Sequence, residues 1–387
     1  MNSLKKICYD IRVTNPFATI FKNMMKKPQT SAIGIDIGSS SIKVVQLRKK
    51  RGKAVLETYG EISLGPYANV SVGAATNLPP DKLSEAITDL LRESNVTTKN
   101  SALSVPLRSS LVSLIEMPKV DEKQLQTMIP IEARKYIPVP ISEVTMDWWI
   151  IPKEEDKYLD FVDNEGSKKD KSEKIDVLVV SIHNEVLAHL NQIVKDAKLD
   201  TTFFEIEMFS AIRALIDKSG TPILIFDMGA AATKLYVVER GVVRTSHIVN
   251  KGSQDITISI SQGMGITVQK AEEIKRNLAA QDQAAQKNIH EIISLTLDFI
   301  FSEASSVMFN YQKHYNKSIN QVFLTGGGSA LKGMVEIAKT AFQTEVVIGQ
   351  PFAKVETPAF LEDVLKVTGL DFSVAVGLAL RKLQEGE

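Results

Sequence analysis

The chain has 387 residues, with 46 basic and 46 acidic side chains, so its formal net charge is zero. Such a chain lacks the overall positive charge that attracts nucleic acid, and we expect no nucleic-acid partner. Cys8 is the single cysteine in the sequence, so disulfides cannot hold the fold and a cytoplasmic location is expected. The sequence contains no unbroken apolar run of about 18 residues, the length that a membrane span requires.

Residues 1–30 form a basic extension with one acidic side chain. Its apolar residues fall at helical spacing, namely Phe17, Ile20, Phe21, Met24 and Met25. One interpretation is a peripheral helix on an anionic membrane surface. The alternatives are a poorly ordered extension and a helix packed on the protein's own body.

From Ser31 the pattern alternates between strands and helices, which predicts an α/β fold. The predicted strands of the first block lie at 33–37, 42–47, 54–59, 102–105, 111–115, 144–151 and 175–182. Its predicted helices lie at 81–92, 121–137 and 184–197. Asp121 is a predicted N-cap and Pro138 a predicted helix stop. The charged segment 153–174 is predicted to be a solvated loop.

A second block begins at Pro222 and starts in the same way. Its predicted strands lie at 223–226, 233–238, 242–248 and 321–324. Its predicted helices lie at 253–262, 267–279, 284–315 and 372–383.

One pattern occurs in both blocks. IGIDIGSSSIKVVQL begins at Ile33 and LIFDMGAAATKLYVV begins at Leu224. Each segment has an apolar strand, an aspartate, an apolar residue, a glycine, three small residues, and a strand with an early lysine. The repeat predicts a fold made of two similar halves.

Turns of small residues let backbone N–H groups approach an anion closely. Two such turns facing across a cleft can hold one polyphosphate from both sides. Asp36 and Asp227 would repel phosphate, so we expect a Mg²⁺ ion with its waters between the acids and the phosphates. Lys43 supplies a positive charge beside the phosphates. Either pattern alone is more often just a tight turn, and it is the pair that predicts phosphate binding.

Two further segments complete the predicted nucleotide site. LTGGGSALKGM begins at Leu324, and its glycines let the backbone pass against a base or ribose. A helix starting near Ser329 would favour an anion at its N-terminus. Lys270 and Glu273 lie at i,i+3 on a predicted helix and suit a ribose or a purine edge. Alone, that pair is an ordinary surface ion pair.

These four pieces, in this order, resemble the actin-like ATPase superfamily, which includes actin, a class of heat-shock chaperones and sugar kinases. The resemblance implies an actin-like (ribonuclease H-like), two-lobed α/β fold with ATP or ADP and Mg²⁺ in a cleft. The matching residues are Asp36, Gly38, Ser39, Ser40, Ser41 and Lys43 in the first phosphate motif; Asp227, Gly229 and Thr233 in the second; Gly326, Gly327, Gly328 and Ser329 in the adenosine motif; and Lys270 and Glu273 on the adenosine-contacting helix. Asp36 and Asp227 are the implied magnesium residues, through water.

The resemblance narrows to the PilM family of type IV pilus assembly and, more distantly, to the cell-division protein FtsA. IEARKYIPVPISEVTMDW, from Ile131, is similar to a hallmark of that family, and FFEIEMFSAIRAL, from Phe203, is similar to its connecting helix. Glu207 would there face the nucleotide and position water. The implied subdomains are 1A at 31–102 and 183–221, 1C (an FtsA-type insert) at 103–182, 2A at 222–252 and 320–387, and 2B at 253–319.

The family resemblance implies a cytoplasmic scaffold at the inner face of the cytoplasmic membrane, in pilus assembly or a related secretion system. It would bind the cytoplasmic N-terminal tail of a PilN-like single-pass membrane protein in a groove between 1A and 1C, near helix 121–137 and the corner at 137–140. Pilus motor ATPases and platform proteins would be indirect partners. The family also allows a homo-oligomer.

The second phosphate motif departs from the superfamily, because its turn carries alanines where relatives often have glycine, threonine or an acid. We therefore expect weak engagement of the γ-phosphate and at most slow ATP hydrolysis, with Lys234 a poor candidate for positioning water. An alternative is an FtsA-like filament-forming or membrane-tethering protein. A sugar-kinase-type phosphotransferase is disfavoured, because the histidines do not cluster and no second-substrate motif is present.

Overall fold

A computed structural model describes residues 31–151, 174–217 and 220–385. The predicted extension at 1–30 and all but the last residue of the predicted loop at 153–174 lie outside the described residues. The strands are β1 Ser31–Ile37, β2 Ser41–Lys50, β3 Lys53–Ser63, β4 Asn100–Val105, β5 Ser110–Pro118, β6 Val144–Ile151, β7 Lys174–His183, β8 Asp200–Ile206, β9 Ile223–Met228, β10 Thr233–Glu239, β11 Val242–Val249, β12 Gln321–Thr325 and β13 Glu345–Ile348. The helices are α1 Pro80–Glu93, α2 Glu122–Ala133, α3 Asn184–Asp196, α4 Glu207–Leu215, α5 Ser253–Met264, α6 Val268–Arg276, α7 Gln283–Tyr315, α8 Met334–Phe342, α9 Glu362–Thr368 and α10 Ser373–Gln384.

The smaller of two compact units comprises Leu107–Ala188. Its antiparallel sheet has the order β5-β7-β6, and α2 packs on one face through Leu125, Ile129 and Ala133. Asp121 is the N-cap of α2, as predicted, and its carboxylate accepts a hydrogen bond from the backbone N–H of Gln124 at 2.9 Å. The helix ends at Ala133 rather than Ile137. The N–H groups of Lys135 and Tyr136 donate to carbonyl oxygens three residues earlier, which is the hydrogen bonding of turns.

The larger unit holds two five-stranded sheets of identical topology. One has the order β3-β2-β1-β4-β8 and the other β11-β10-β9-β12-β13. In each sheet, three antiparallel strands in sequence order are followed by two parallel strands. This is the two-part architecture that the repeated motif predicts.

Residues 203–206 correct the predicted connecting helix. They belong to β8, which pairs with β4 in the first sheet, and the helix begins only at Glu207. Phe203 and Phe204 are both buried, so their side chains fill the core on opposite faces of the strand. The sheet therefore determines the conformation of these residues, which the resemblance assigned to a helix.

Helix α7 packs against the second sheet and is 33 residues long. Among the described residues it is long and apolar enough to cross a bilayer by length and composition. Its buried face, including Ile293, Ile300 and Phe301, belongs to the core of the second half. Core helices of soluble proteins also pass this test, so the finding is weak support for a membrane span.

Helix α10 lies so close to its neighbours that two glycines are required. A Cβ atom on Gly34 in β1 would lie less than 3.0 Å from the backbone oxygen of Ala375, and one on Gly377 would be equally close to that of Ser210 in α4. Backbone atoms cannot move aside as a flexible side chain can. The close approach fixes α10, β1 and α4 as one packed layer.

We therefore expect Gly377→Ala to lower the free energy of unfolding by about 1–3 kcal/mol, because the added methyl group overpacks this layer. Chemical denaturation at neutral pH measures the change. Gly220→Ala is the matched control, since a Cβ there meets no atom of the described residues within 4 Å. An alanine at 377 that costs no more than the control would contradict the packing argument.

Candidate functional site

The first hairpin turn, between β1 and β2, places Asp36 directly opposite Lys43. The N–H of Gly38 donates to the carbonyl oxygen of Ser41 at 3.0 Å and closes the turn. A Cβ on Gly38 would lie 2.9 Å from that same oxygen, so a side chain does not fit. Ser39 and Ser40 at the tip are half-buried. The predicted small-residue turn is thus a compact backbone loop beside a carboxylate.

The second turn, between β9 and β10, repeats this geometry. Asp227 lies opposite Lys234, and the N–H of Gly229 donates to the carbonyl oxygen of Ala232 at 3.0 Å. Thr233 is fully buried, and its hydroxyl donates to the carbonyl oxygen of Lys251 at 2.9 Å. The two hairpins are therefore equivalent in sequence spacing, strand register and turn closure.

The charged side chains of the two hairpins form one buried cluster. The ammonium of Lys234 lies 2.5 Å from a carboxylate oxygen of Glu207 and 3.7 Å from one of Asp227. The ammonium of Lys43 lies 3.6 Å from Glu61 and 3.9 Å from Asp371.

Burial controls how these groups ionise. Loss of water raises the pKa of both Asp36 and Asp227, and the nearby Glu207 charge raises each further, although Lys43 and Lys234 act in the opposite sense. Burial alone would lower the pKa of Lys43, but the charges of Asp371 and its neighbours outweigh it and the pKa is raised. The cluster is held together by charges that reach across both halves.

The glycines of the predicted adenosine motif lie against these acids. A Cβ on Gly326 would lie 2.5 Å from an oxygen of Asp227, and one on Gly327 would overlap an oxygen of Asp371. Gly326 also has φ of +79°, a conformation that favours glycine. Gly328 and Ser329 are buried, and the Ser329 hydroxyl donates to the carbonyl oxygen of Thr325 at 2.7 Å.

Lys270 and Glu273 lie elsewhere, on α6. Their side chains are 60% and 52% exposed and form an ion pair with each other at 3.0 Å. This is the ordinary surface arrangement that the sequence left open, and their role in adenosine binding stays a prediction.

The sequence did not identify two groups at the site. Ser104 donates from its hydroxyl to Asp36 at 2.9 Å, and Asp371 lies beside Lys43 and Gly327. No local pattern marks either of them. Lys234 did carry a signal, because it follows its aspartate at the same spacing as Lys43 does.

A buried clamp fixes the strand and helix that carry Glu207. Glu205 is fully buried and accepts hydrogen bonds from Arg213 at 2.6 and 2.7 Å and from Arg381 at 2.6 Å. Burial alone would raise the pKa of Glu205, but the two guanidinium groups outweigh it and the pKa is lowered. The clamp ties β8 to α4 and α10, and so holds the first turn of α4 in place.

The acids suit a hydrated cation better than a directly bound one. Four carboxylates, those of Asp36, Glu207, Asp227 and Asp371, lie with the ammonium groups of Lys43 and Lys234. With Glu61 also beside Lys43, the carboxylates outnumber the ammonium groups, which favours a cation at this place. Across residues 31–151, 174–217 and 220–385, no three His, Cys, Asp or Glu side chains are close enough to hold a metal directly. Mg²⁺ commonly keeps several waters and is bound through few carboxylates and substrate phosphates.

Comparison with known proteins gives consistent results. The sequence matches the family described as type IV pilus assembly protein PilM over residues 34–383. It is similar to the cell division protein FtsA of Bacillus subtilis, with 20% identity over 372 residues that cover 86% of this chain and 81% of that protein. The fold is similar to that of a chain in a PilM-PilN type IV pilus biogenesis complex, with a TM-score of 0.75, 22% identity, and coverage of 91% of this chain and 98% of that one. It is also similar to the ethanolamine utilization protein EutJ from Carboxydothermus hydrogenoformans, with a TM-score of 0.52, 14% identity, and coverage of 92% and 91%. The predicted actin-like α/β fold is confirmed.

The raised pKa of Asp227 predicts a stability effect. The unfolded chain gives up this proton more readily than the folded protein does, so stability falls as pH rises from 3.8 through the folded pKa. Asp227→Asn should therefore raise the free energy of unfolding of the ligand-free protein at pH 7, by on the order of 1 kcal/mol. The gain should shrink as the pH is lowered toward 4.

Thermal unfolding of both proteins across this pH range tests the effect. Asp363→Asn, on the exposed surface, is the control and should change little. If the Asp227→Asn protein is less stable than wild type at pH 7, then Asp227 stabilises the fold through its partners and the expectation is wrong.

Proposed function

Because the chain belongs to the PilM family of type IV pilus assembly proteins, we propose that it is a cytoplasmic scaffold of that machine, gated by ATP·Mg. The nucleotide binds in the cleft between the two sheets of the larger unit. A PilN-like inner-membrane protein is the partner, through its cytoplasmic tail. ATP hydrolysis is at most slow.

The buried charge cluster is the observation that carries the nucleotide proposal. Two equivalent hairpins bring Asp36 and Asp227 within electrostatic reach of the same lysines and of Glu207. Carboxylates in such surroundings are disfavoured unless a cation joins them. A structural role alone gives no reason to bury this excess of negative charge.

Each part of the cluster has a place in this proposal. Asp36 and Asp227 would hold Mg²⁺ through its waters, and the ion would shield them from the phosphates. The backbone N–H groups of the two turns and Lys43 would contact the phosphates. The loop at Gly326–Gly328 would pass beside the nucleoside. The ion would supply charge neutralisation and orientation of the phosphates.

The smaller unit supports a peptide-binding role. The predicted apolar face of α2 is core, since Leu125, Ile129 and Ala133 are buried. Ile131 in the last turn of α2 and Tyr136 just after the helix are instead 60% and 48% exposed. Apolar side chains at such positions suit the anchors of a tail peptide. A solved complex of PilM with PilN supports the choice of partner.

An FtsA-like assembling protein is the second candidate. Leu295, Phe299 and Phe309 lie on the outward side of α7 at helical spacing, and Leu295 is 81% exposed. Apolar residues in such a row favour contact with another protein.

Light scattering with ATP·Mg would reveal filaments, and a Leu295→Ser protein should then assemble less.

We expect ATP·Mg to bind the wild-type protein in a calorimetric titration and Asp36→Ala to lose at least tenfold in affinity, because the mutant lacks one carboxylate of the cation site. Asp363→Ala is the control and should bind as the wild type does. If Asp36→Ala bound ATP·Mg as tightly as the wild type does, the first hairpin would not be part of the nucleotide site. Absence of binding by nucleotide-free wild type would contradict the nucleotide proposal.

ATP·Mg should also change the affinity of the protein for the PilN tail peptide, since a ligand shifts a conformational equilibrium only through different affinities for its states. Fluorescence anisotropy of a labelled peptide measures this change. Tyr136→Ser should weaken peptide binding with and without nucleotide while leaving ATP affinity intact. Identical peptide affinities in the two conditions would contradict gating, and full binding by the Tyr136 mutant would contradict the assigned surface.

A further inference from the structure

Lys234 is held by two carboxylates in the cleft. Its ammonium contacts Glu207 at 2.5 Å and Asp227 at 3.7 Å, and its side chain is 22% exposed. Lys43, the equivalent residue of the first hairpin, has looser contacts with Glu61 and Asp371 at 3.6 and 3.9 Å. The two equivalent lysines therefore contact different carboxylates, and Lys234 has the shorter contact.

Of the four carboxylates, Glu207 is the one that neither faces the proposed cation nor lies beside Lys43. Asp36 already accepts a hydrogen bond from Ser104, and with Asp227 it would face the hydrated cation. Asp371 lies beside Lys43. Glu207 is 6% exposed at the first turn of α4 and lies under the second hairpin.

A buried hydroxyl lies on the same strand as Lys234. Tyr236 is fully buried, lies two residues after Lys234 in β10, and its hydroxyl has no hydrogen-bond partner within the described residues. Burial raises the pKa of this hydroxyl, and the negative charges of Glu207, Asp227 and Asp36 raise it further. Buried hydroxyls without a protein partner are normally satisfied by ordered water.

We propose that Lys234 locks the site against ATP hydrolysis by holding the Glu207 carboxylate as an ion pair. Hydrolysis forms a bond from a water oxygen to the γ-phosphorus, breaks the bond from that phosphorus to the bridging oxygen of ADP, and passes a water proton to a carboxylate. A carboxylate that already accepts from an ammonium at 2.5 Å is a poor acceptor for that proton. The protein then retains ATP as a structural ligand. This inference rests on the proposed nucleotide site.

The test compares phosphate release in single-turnover assays on proteins shown by calorimetry to bind ATP·Mg. Lys234→Gln should release phosphate at least tenfold faster than wild type. Lys234→Ala is made beside it, because either change leaves a buried carboxylate with less compensation and either protein could fold poorly. Lys366→Gln, an exposed lysine on α9, is the matched control and should release phosphate at the wild-type rate.

Two further variants separate the lock from a general disturbance of the cleft. Lys234→Arg keeps the positive charge and should show less than a tenth of the gain. Lys234→Gln combined with Glu207→Gln should lose the gain, because the proposed proton acceptor is gone.

The outcomes distinguish the lock from the nucleotide site itself. Variants at Lys234 that bind ATP·Mg but release phosphate no faster would overturn the lock alone. A gain that survives Glu207→Gln would also overturn it, since another group would then accept the proton. Wild-type protein that binds no ATP would overturn both the lock and the proposed function.

Discussion

Burial of like charges at the ends of two equivalent hairpins is the constraint on which this structure depends. Asp36 and Asp227 end central strands of two different sheets, where loss of water raises the pKa of each. The turns beside these two carboxylates consist of small residues, so the backbone and side chains of neighbouring segments can approach both carboxylates closely. Lys43 and Lys234 offset part of the charge, and the excess that remains favours a hydrated cation with its phosphate ligand.

The rest of the larger unit fixes the geometry of these charges. The clamp of Glu205 with Arg213 and Arg381 holds the start of α4, and thereby Glu207. The two halves also meet directly, where the N–H of Ala75 donates to the side chain of Gln254 at 3.0 Å. A ligand that contacts both hairpins would change hydrogen bonds between the two halves, such as the one from Ala75 to Gln254. A nucleotide in the proposed site would therefore alter how the two halves meet.

Local patterns predicted much of the fold and part of the site. The hairpins were predictable, because alternating apolar residues and a small-residue turn specify them within one short segment. The strand at Phe203 and Phe204 was not, since it depends on pairing with β4, about 100 residues earlier in the chain. Asp371 and Ser104 join the cluster only through tertiary structure. No sequence pattern shows the contact between Lys234 and Glu207.

The central claim is that both hairpins hold one nucleotide. Nuclear magnetic resonance with isotope-labelled glycine tests it directly, because the chain has only 21 glycines and three of the relevant turns contain them. On addition of ATP·Mg the account predicts that the amide signals of Gly38, Gly229 and Gly326 move together, while that of Gly52 in the distant β2–β3 turn stays. Movement confined to one of the two hairpins would contradict the account.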